Sequence, residues 1–473
     1  MSLIHIVSPP NYSRERAYTY DTLFRDFLGL TYDSEVRDDA LSVTISIQRE
    51  TSLGLLSVPD ILFQTPASNW LKPESSPRLP LSRKTVPIEF EKEISLSHSV
   101  PIVFGSSDSK APLIKKTCDG LTLSVDIFGG AFFLLTRLEE LISSARDSHE
   151  RFPASHSILC QENLLERPVV NEYTELLWGA LRILAPDIRR QNRSPRIFVS
   201  HDVDCPWVVH KRNSPWVLRS VLVDLILRHD LQLAGKRARA LLASDETQCD
   251  LDPANTFDLL MDLSEEAGLK SAFYFICGSK NSSLDANYDM SNAWIRSLLK
   301  KIHRRGHEIG IHGSYQTFDD QEQFSAEFKQ LKSTCREIGI EQEAWGGRQH
   351  YLRWNASNTW QIWENAGMDY DSSLGFPDAP GFRCGTCYEF QTFNVQTRQA
   401  LRLRERPLLV MDTTLLETSS TKRFENAVSR IHLICQKYQG DFSLLCHNSN
   451  LMGTLERSAY RRIVREFRAK GDR

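Results

Sequence analysis

The sequence predicts an α/β protein in which a smaller α+β domain precedes a larger domain of alternating strands and helices. Two observations lead to this fold class. Strand and helix patterns alternate regularly through the second part of the 473-residue chain, and the first part mixes them less regularly. The segment 186–195, rich in Pro, Asn and basic residues, is the best linker between the two parts. We therefore expect domains at 1–190 and 191–473.

The N-terminal domain is predicted from four segments. Residues 40–47 alternate polar and apolar side chains as a half-buried strand does, and 99–105 read as a short apolar strand. Residues 121–142 pass from a strand into an amphipathic helix, and 171–185 have a second helical pattern. This mixture predicts an α+β arrangement, and the residues alone indicate no task for the domain.

The second domain contains seven candidate strands with helical patterns between most of them. The strands are 196–200, 271–277, 307–312, 343–351, 368–374, 406–415 and 442–447. The helices are 256–267, 291–304, 320–338, 357–366 and 423–438. Such alternation predicts a mostly parallel sheet, and the number of strands favours a barrel over an open sheet, although periodicity is compatible with both. In either arrangement the carboxyl ends of the strands meet at one rim.

The composition argues against several classes of protein. Hydrophobic residues make up 41% of the chain and charged residues 25%, and 57 basic against 60 acidic residues give a net charge of −3. This balance gives no reason to expect a nucleic-acid partner. The ten cysteines are irregularly spaced, no window approaches the ~20 apolar residues of a membrane span, and the first residues lack the apolar core of a secretory signal. A cytoplasmic location is expected, and the oligomeric state is not predicted.

Most strands of the second domain end in residues that are capable of chemistry. These are Asp202 and Asp204 after the first strand, His312 after the third, Arg348 and His350 in the fourth, Asp371 in the fifth and His447 after the seventh. Helix N-caps also recruit aspartate, but two carboxylates this close repel each other unless a cation lies nearby. A carboxylate and a histidine on one rim predict a divalent metal, with Zn²⁺ the best match.

A metal site of this kind predicts a hydrolase. The metal lowers the pKa of a bound water toward ~7, which makes hydroxide available at neutral pH. The second aspartate would remove the proton of the water, and a histidine opposite would protonate the leaving group. The two carboxylates then have different tasks, one on the metal and one as the base.

Five short motifs in order resemble those of a known family. They are SHDVD (200–204), GHEIGIHGSYQT (306–317), GRQHYLRW (347–354), DSSLGF with GFRCGTCYEF (371–390) and LLCHNS (444–449). Together they resemble the polysaccharide deacetylase domain (NodB homology, carbohydrate esterase family four), in a bacterial branch associated with surface polysaccharides. The N-terminal segments VPIVFG, LTLSVDIFGGAFFLLTRLEE, DSHERFPASHSI and RPVVNEYTELLW resemble that branch's companion domain of unknown function. The resemblance implies an irregular (β/α)7 barrel that removes N- or O-acetyl groups from sugars with Zn²⁺ or Co²⁺.

Residue by residue, the resemblance also implies a division of tasks. It makes Asp202 the general base, Asp204 the first metal ligand, His312 the first histidine of the H-x-x-x-H metal motif, Arg348 the residue that orients the base, and His447 the general acid. The substrate it implies is a carbohydrate, an acylated amino sugar in a polymer or a precursor.

One position departs from the family pattern. Gln316 occupies the place after His312 where the second histidine of the motif is expected. An amide oxygen is a weaker ligand for Zn²⁺ than an imidazole. We assign the metal to Asp204, His312 and Gln316, and we leave His350 and His307 as alternative third ligands.

Three rim residues receive supporting tasks. Asp371 is expected to support His447 or the substrate, and His350 and Tyr351 are expected to contact the substrate. Gln316 supports an alternative to the hydrolase, a glycan-binding or scaffold protein with a degenerate metal site. A further alternative is a thiol oxidoreductase that uses the C-x-x-C pair Cys384 and Cys387.

The connection after the first strand is unusually long. Residues 207–244 have two helical patterns that carry Trp, Leu and Arg. They are expected either to form a lid with a solvated face or to make a peripheral membrane contact, since lipid-linked glycans would bring the protein to a bilayer.

Overall fold

The computed structural model describes residues 4–48, 53–94, 96, 99–106, 108, 110–209, 214–244, 247–278, 284–286, 288–416 and 421–468. The chain is a mixed α/β protein that forms two compact units. The first comprises Met1–Ser194 with Ala356–Gln361 and Phe382–Pro407, and the second comprises Pro195–Asn355, Ile362–Gly381 and Leu408–Arg473. Two later segments therefore join the N-terminal part of the chain.

The strands are named in chain order. They are β1 (Ile4–Ser8), β2 (Tyr32–Val36), β3 (Val43–Gln48), β4 (Leu53–Val58), β5 (Ser82–Lys84), β6 (Val100–Ile102), β7 (Ile114–Lys116), β8 (Gly120–Leu123), β9 (Ile197–Val203), β10 (Ser271–Phe275), β11 (Glu308–Gly313), β12 (Gly346–Gln349), β13 (Tyr370–Asp371), β14 (Phe390–Asn394), β15 (Gln399–Glu405), β16 (Val410–Met411) and β17 (Phe442–Leu445).

The α-helices follow the same convention. They are α1 (Ser13–Tyr20), α2 (Ile127–Leu135), α3 (Leu138–Ile142), α4 (Ile158–Gln161), α5 (Val169–Leu184), α6 (Ser214–Ile226), α7 (Leu231–Leu242), α8 (Gln248–Leu251), α9 (Phe257–Glu266), α10 (Ala293–Arg304), α11 (Gln321–Glu337), α12 (Thr359–Ala366), α13 (Asp412–Leu416), α14 (Thr421–Lys437) and α15 (Thr454–Glu466). None of the helices in the described ranges is both long and apolar enough to cross a membrane.

The first unit is built on a six-stranded sheet in the order β2-β1-β3-β4-β8-β7, which mixes parallel and antiparallel pairs. Helix α2 is apolar throughout and every one of its residues is buried. It begins at Asp126, whose carboxylate accepts hydrogen bonds from the backbone of Gly129 (2.7 Å) and Ile61 (2.8 Å). The bond from Gly129 satisfies an amide of the first helical turn that would otherwise be unpaired, and the bond from Ile61 ties an earlier segment to the helix start.

The second unit contains the predicted parallel sheet. Seven strands run in the order β16-β17-β9-β10-β11-β12-β13, so the last predicted strand pairs with the first. Each strand overlaps its predicted segment, and α9, α10, α11, α12 and α14 overlap the five predicted helices. Pairing within the described residues does not join β13 to β16, so the sheet is not closed by strand pairing.

The register of this sheet sets which side chains become neighbours. Asp202 on β9 lies opposite Tyr274 on β10, and His312 on β11 lies opposite Arg348 on β12. Because the strands are parallel, residues at their carboxyl ends gather at one edge. The candidate site lies at this edge.

Candidate active site

Asp202 and Arg348 form a buried ion pair at the centre of the rim. The guanidinium Nη1 of Arg348 donates to Asp202 Oδ1 at 2.7 Å, and both side chains are buried. The same guanidinium donates through Nε to the Ser372 carbonyl oxygen (2.8 Å) and through Nη2 to Ser200 Oγ (3.0 Å). With these donors engaged, Arg348 holds the Asp202 carboxylate in one orientation.

Asp204, His312 and His350 form a cluster beside this pair. One ligand atom from each of the three lies within 4.8 Å of the other two. Asp204 Oδ1 is 3.2 Å from His312 Nε2, and Asp204 Oδ2 is 3.7 Å from His350 Nε2. The Nδ1 atoms point away, to the Arg348 carbonyl oxygen at 2.9 Å and to Asp285 Oδ1 at 3.1 Å. These contacts orient the Nε2 atoms toward Asp204.

The chemistry of this cluster fits a divalent cation. When His312 donates through Nδ1, its Nε2 presents a lone pair to a carboxylate oxygen, an arrangement that needs a positive charge between the two atoms. Asp204 Oδ1 is buried and makes no hydrogen bond to any residue within the described ranges. Burial raises the pKa of Asp204, but His350 and His312 lower it by more, so its pKa lies well below its usual value. An ionised carboxylate and two imidazoles are ligands that Zn²⁺ and similar metals accept.

His447 faces the same carboxylate from another side. Its Nε2 lies 3.6 Å from Asp204 Oδ2. Its Nδ1 lies 2.7 Å from Asp412 Oδ1, and its backbone N–H donates to Asp412 Oδ2 at 2.8 Å. Burial lowers the pKa of His447, but the buried Asp412 carboxylate outweighs it and raises the pKa to about 10. Asp412 thus holds the imidazole and favours its protonated form.

Asp412 is a rim residue that the sequence analysis missed. It follows the sixth strand directly, at the end of β16, so its position at a strand end was a signal of the kind used for the other rim residues. Asp371, which was expected to support His447 or the substrate, accepts a hydrogen bond from the backbone of Ser373 at 3.0 Å. The residue that contacts His447 Nδ1 is Asp412 and not Asp371.

The structure also differs from the predicted set of metal ligands. Gln316 is an exposed residue of the turn that follows β11, whereas His312 and His350 are buried. His350, which was assigned to the substrate and kept as an alternative third ligand, lies beside Asp204 in the position that was assigned to Gln316. His307 lies at the start of β11, where its Nδ1 contacts Ser271 Oγ at 3.1 Å.

Tyr351 continues the rim beyond His350. Its ring centroid lies 4.6 Å from that of His350 and 5.4 Å from that of Tyr315. Its backbone has a φ of 61°, the left-handed region that non-glycine residues rarely adopt. Such strain persists only where the surroundings impose it, and it is concentrated at functional sites.

The C-x-x-C segment is a structural part of the first unit. Cys384 and Cys387 are buried free thiols, and burial raises the pKa of Cys384 well above its usual value. The Val170 backbone N–H donates to the Gly385 carbonyl oxygen at 2.8 Å. A redox-active pair needs an accessible thiolate of lowered pKa, so the oxidoreductase alternative does not fit.

The first part of the chain matches a protein family by sequence. Residues 4–186 match a family described as a family of unknown function (DUF7033). No curated protein matches the chain.

Several solved structures resemble the chain at low identity. A putative polysaccharide deacetylase from Mycobacterium smegmatis is 15% identical with a TM-score of 0.37, over 60% of this chain and 87% of its own. A probable polysaccharide deacetylase from Pseudomonas aeruginosa PAO1 is 12% identical with a TM-score of 0.34, over 58% and 84%. Puue allantoinase is 12% identical with a TM-score of 0.31, over 58% and 83%. Similarities this weak establish no activity for this chain.

Proposed function

We propose that the protein is a metal-dependent hydrolase that removes an acyl group, an acetyl group in the first instance, from a sugar of a surface polysaccharide or its precursor. The observation that carries the proposal is the Asp204 carboxylate, which faces the Nε2 atoms of His312 at 3.2 Å and His350 at 3.7 Å. The rim motifs occur in the same order as those of polysaccharide deacetylases, which they resemble. This resemblance supports a sugar as the substrate and an acyl group as the group that is removed.

In this proposal Asp204, His312 and His350 hold a divalent metal, with Zn²⁺ the best match to the ligand types. A metal in this position supplies Lewis-acid polarisation of the acyl carbonyl and lowers the pKa of water. Gln316 then has no part in binding it. The alternative of a scaffold with a degenerate metal site depended on Gln316 as a ligand and loses its main support.

Asp202 acts as the general base. Its Oδ1 accepts a hydrogen bond from Arg348, and its Oδ2 lies 3.6 Å from His312 Nε2, within reach of the cluster. Arg348 is the positioning residue, because it fixes the carboxylate without facing the cluster itself. General bases held in this way contribute about 10²–10⁴-fold to rate.

His447 acts as the general acid and donates a proton from Nε2 to the departing amine or alcohol. Asp412 holds its Nδ1 at 2.7 Å and stabilises the imidazolium. Base and acid thus approach the cluster from different strands, β9 and β17. This separation lets one group accept a proton while the other donates one.

The same proposal includes the fold and the domains. We infer that the seven parallel strands form the irregular barrel. A backbone hydrogen bond from Leu408 to the Leu374 carbonyl oxygen (3.2 Å) links the segment before β16 to the segment after β13 and supports this inference. The barrel would lie within 191–473, apart from the segments 356–361 and 382–407 that belong to the first unit, and 1–190 would be a companion domain.

The experiment is a comparison of variants for metal content and for acetate release from acetylated amino sugars. His350→Ala is expected to lose most of the bound metal and the activity. Gln316→Ala is the matched control and is expected to keep both. Asp202→Asn should keep the metal but reduce acetate release by about 10²-fold or more. If His350→Ala and Asp202→Asn both hydrolyse the substrates normally, the proposal is wrong.

A further inference from the structure

Helix α6 leaves an apolar stripe exposed. The stripe of Leu218, Leu222, Leu225 and Ile226 lies on one face by helical spacing, and Leu222 and Ile226 are 56% and 64% exposed. The opposite face buries Val217 and the charged Asp224, which accepts from Arg237 Nε of α7 at 2.7 Å. A surface helix of a globular protein normally turns its apolar stripe inward.

Further exposed apolar residues lie in the turn and in α7. Leu227 and Leu231 are each 73% exposed, and Leu242 at the end of α7 is 86% exposed. Trp216 is half-exposed near the start of α6. Monomeric proteins rarely leave contiguous apolar surface of this kind uncovered unless it serves an interaction. We call residues 214–242 the α6–α7 hairpin.

The charge around this surface is positive. Within 214–242 the sequence has five Lys or Arg residues and two Asp residues. Asp224 is buried and pairs with Arg237 and with Arg228 (3.1 Å), and Asp230, which is partly exposed, accepts from the backbone N–H of Leu233 at 2.9 Å. Arg219 and Arg239 are exposed beside the apolar positions.

We propose that the α6–α7 hairpin binds the surface of an anionic lipid bilayer. An apolar stripe flanked by Lys and Arg is the pattern of helices that lie in the headgroup region, with leucines in the acyl boundary and cations near the phosphates. A second copy of the chain fits this surface less well than a bilayer does. In a self-complementary contact the exposed arginines of the two copies would come close together and repel each other.

The hairpin is connected to two segments of the second unit that carry rim residues. It follows β9, which carries Asp202, and its turn residue Asp230 accepts a hydrogen bond from the Thr454 backbone N–H at 2.8 Å. Thr454 begins α15, the helix that follows His447. A bilayer contact here would bring the rim toward glycans carried by lipids. That consequence rests on the proposed function, but the bilayer contact itself does not.

The test is co-sedimentation of the full chain with vesicles. Binding is expected to vesicles of phosphatidylglycerol mixed with phosphatidylcholine, to be weaker on phosphatidylcholine alone, and to fall as salt is added. Leu222→Gln with Ile226→Gln is expected to weaken partitioning by roughly tenfold or more, because two aliphatic side chains leave the acyl boundary. Arg219→Gln with Arg239→Gln should weaken binding to the anionic vesicles only.

Leu433→Gln is the matched control, because Leu433 on α14 is also 63% exposed but lies outside the hairpin. It should bind as the unchanged chain does, and all variants should melt at similar temperatures. The proposal is overturned if the unchanged chain does not sediment with anionic vesicles. It is also overturned if light scattering finds a dimer that the Leu222 and Ile226 substitutions dissociate, since the surface then binds a second copy.

Discussion

The three histidines of the rim differ in what holds their Nδ1 atoms. His312 contacts a backbone carbonyl, whereas His350 contacts Asp285 and His447 contacts Asp412. A carbonyl partner favours a neutral ring with a free Nε2 lone pair, whereas a carboxylate also stabilises the protonated ring. This difference separates His312, a ligand in our proposal, from His447, the proposed acid. It does not separate the proposed ligand His350 from His447, because the Nδ1 atoms of both contact a carboxylate.

Asp412→Asn tests this division. The amide cannot stabilise the imidazolium, so kcat for acetate release is expected to fall by about tenfold to a hundredfold, while metal content and KM change little. Asp371→Asn is the control, because Asp371 is also a buried rim carboxylate but contacts Ser373. A larger loss of kcat in Asp371→Asn than in Asp412→Asn would contradict the assignment.

Helix α11 is attached to the end of β11 by one buried acid. Glu327 Oε2 accepts from the Ser314 backbone N–H at 3.1 Å, and Glu327 Oε1 accepts from Gln323 Nε2 at 2.9 Å and from the Ser314 hydroxyl. Burial raises the pKa of Glu327 from 4.5 to about 7 despite these donors. The turn that follows His312 thus depends on a group that titrates near neutral pH.

This shift predicts a pH dependence of stability. Between pH 4.5 and about 7 the folded chain binds the Glu327 proton more tightly than the unfolded chain does. The free energy of unfolding therefore contains a contribution that is present below pH 4.5 and is lost as pH rises toward 7, on the order of 3 kcal/mol in total. Glu327→Gln is expected to flatten the pH profile of urea unfolding in this window.

Glu337→Gln provides the control on the same helix. Glu337 is exposed, and its hydrogen bond to Arg296 lowers its pKa, so it titrates at or below about pH 4.5 in both states, outside most of this window. Its substitution should leave the slope unchanged. An unaltered slope in Glu327→Gln would mean that another group causes any pH dependence observed.

At the scale of the whole molecule, the first unit is not a continuous stretch of chain. Arg383, in the later segment Phe382–Pro407, donates to Glu140 Oε2 at 2.7 Å, and both side chains are buried. In the same segment the Cys387 backbone N–H donates to Asn171 Oδ1 at 3.1 Å. Breaking a buried ion pair by removing one partner costs about 3–5 kcal/mol.

We therefore expect residues 1–194 alone to lack a cooperative thermal transition by circular dichroism. The fragment loses Arg383 and the hairpin of β14 and β15, and it leaves Glu140 short of a partner. Joining 382–407 to 1–194 through a flexible linker should restore part of the transition. A sharp melt of the fragment by itself would contradict this prediction.

Local patterns in the sequence were sufficient to predict the strands and helices of the parallel sheet. Alternation and helical spacing located the seven parallel strands and the helices between them, since both depend on near neighbours in the chain. They were also sufficient to predict which residues lie at the rim, because residues at the carboxyl ends of parallel strands gather at one edge of the sheet. Asp202, Asp204, His312, Arg348 and His447 were all found in this way, and the structure brings them together.

The pairing of these residues was decided only by the tertiary structure. His350 rather than Gln316 lies beside Asp204, and Asp412 rather than Asp371 holds His447. Segment 382–407 belongs to the first unit although it lies far along the chain. The physical reason is that such contacts depend on the register of the sheet and on the paths of the loops, and these are set by packing between distant parts of the chain rather than by any local pattern.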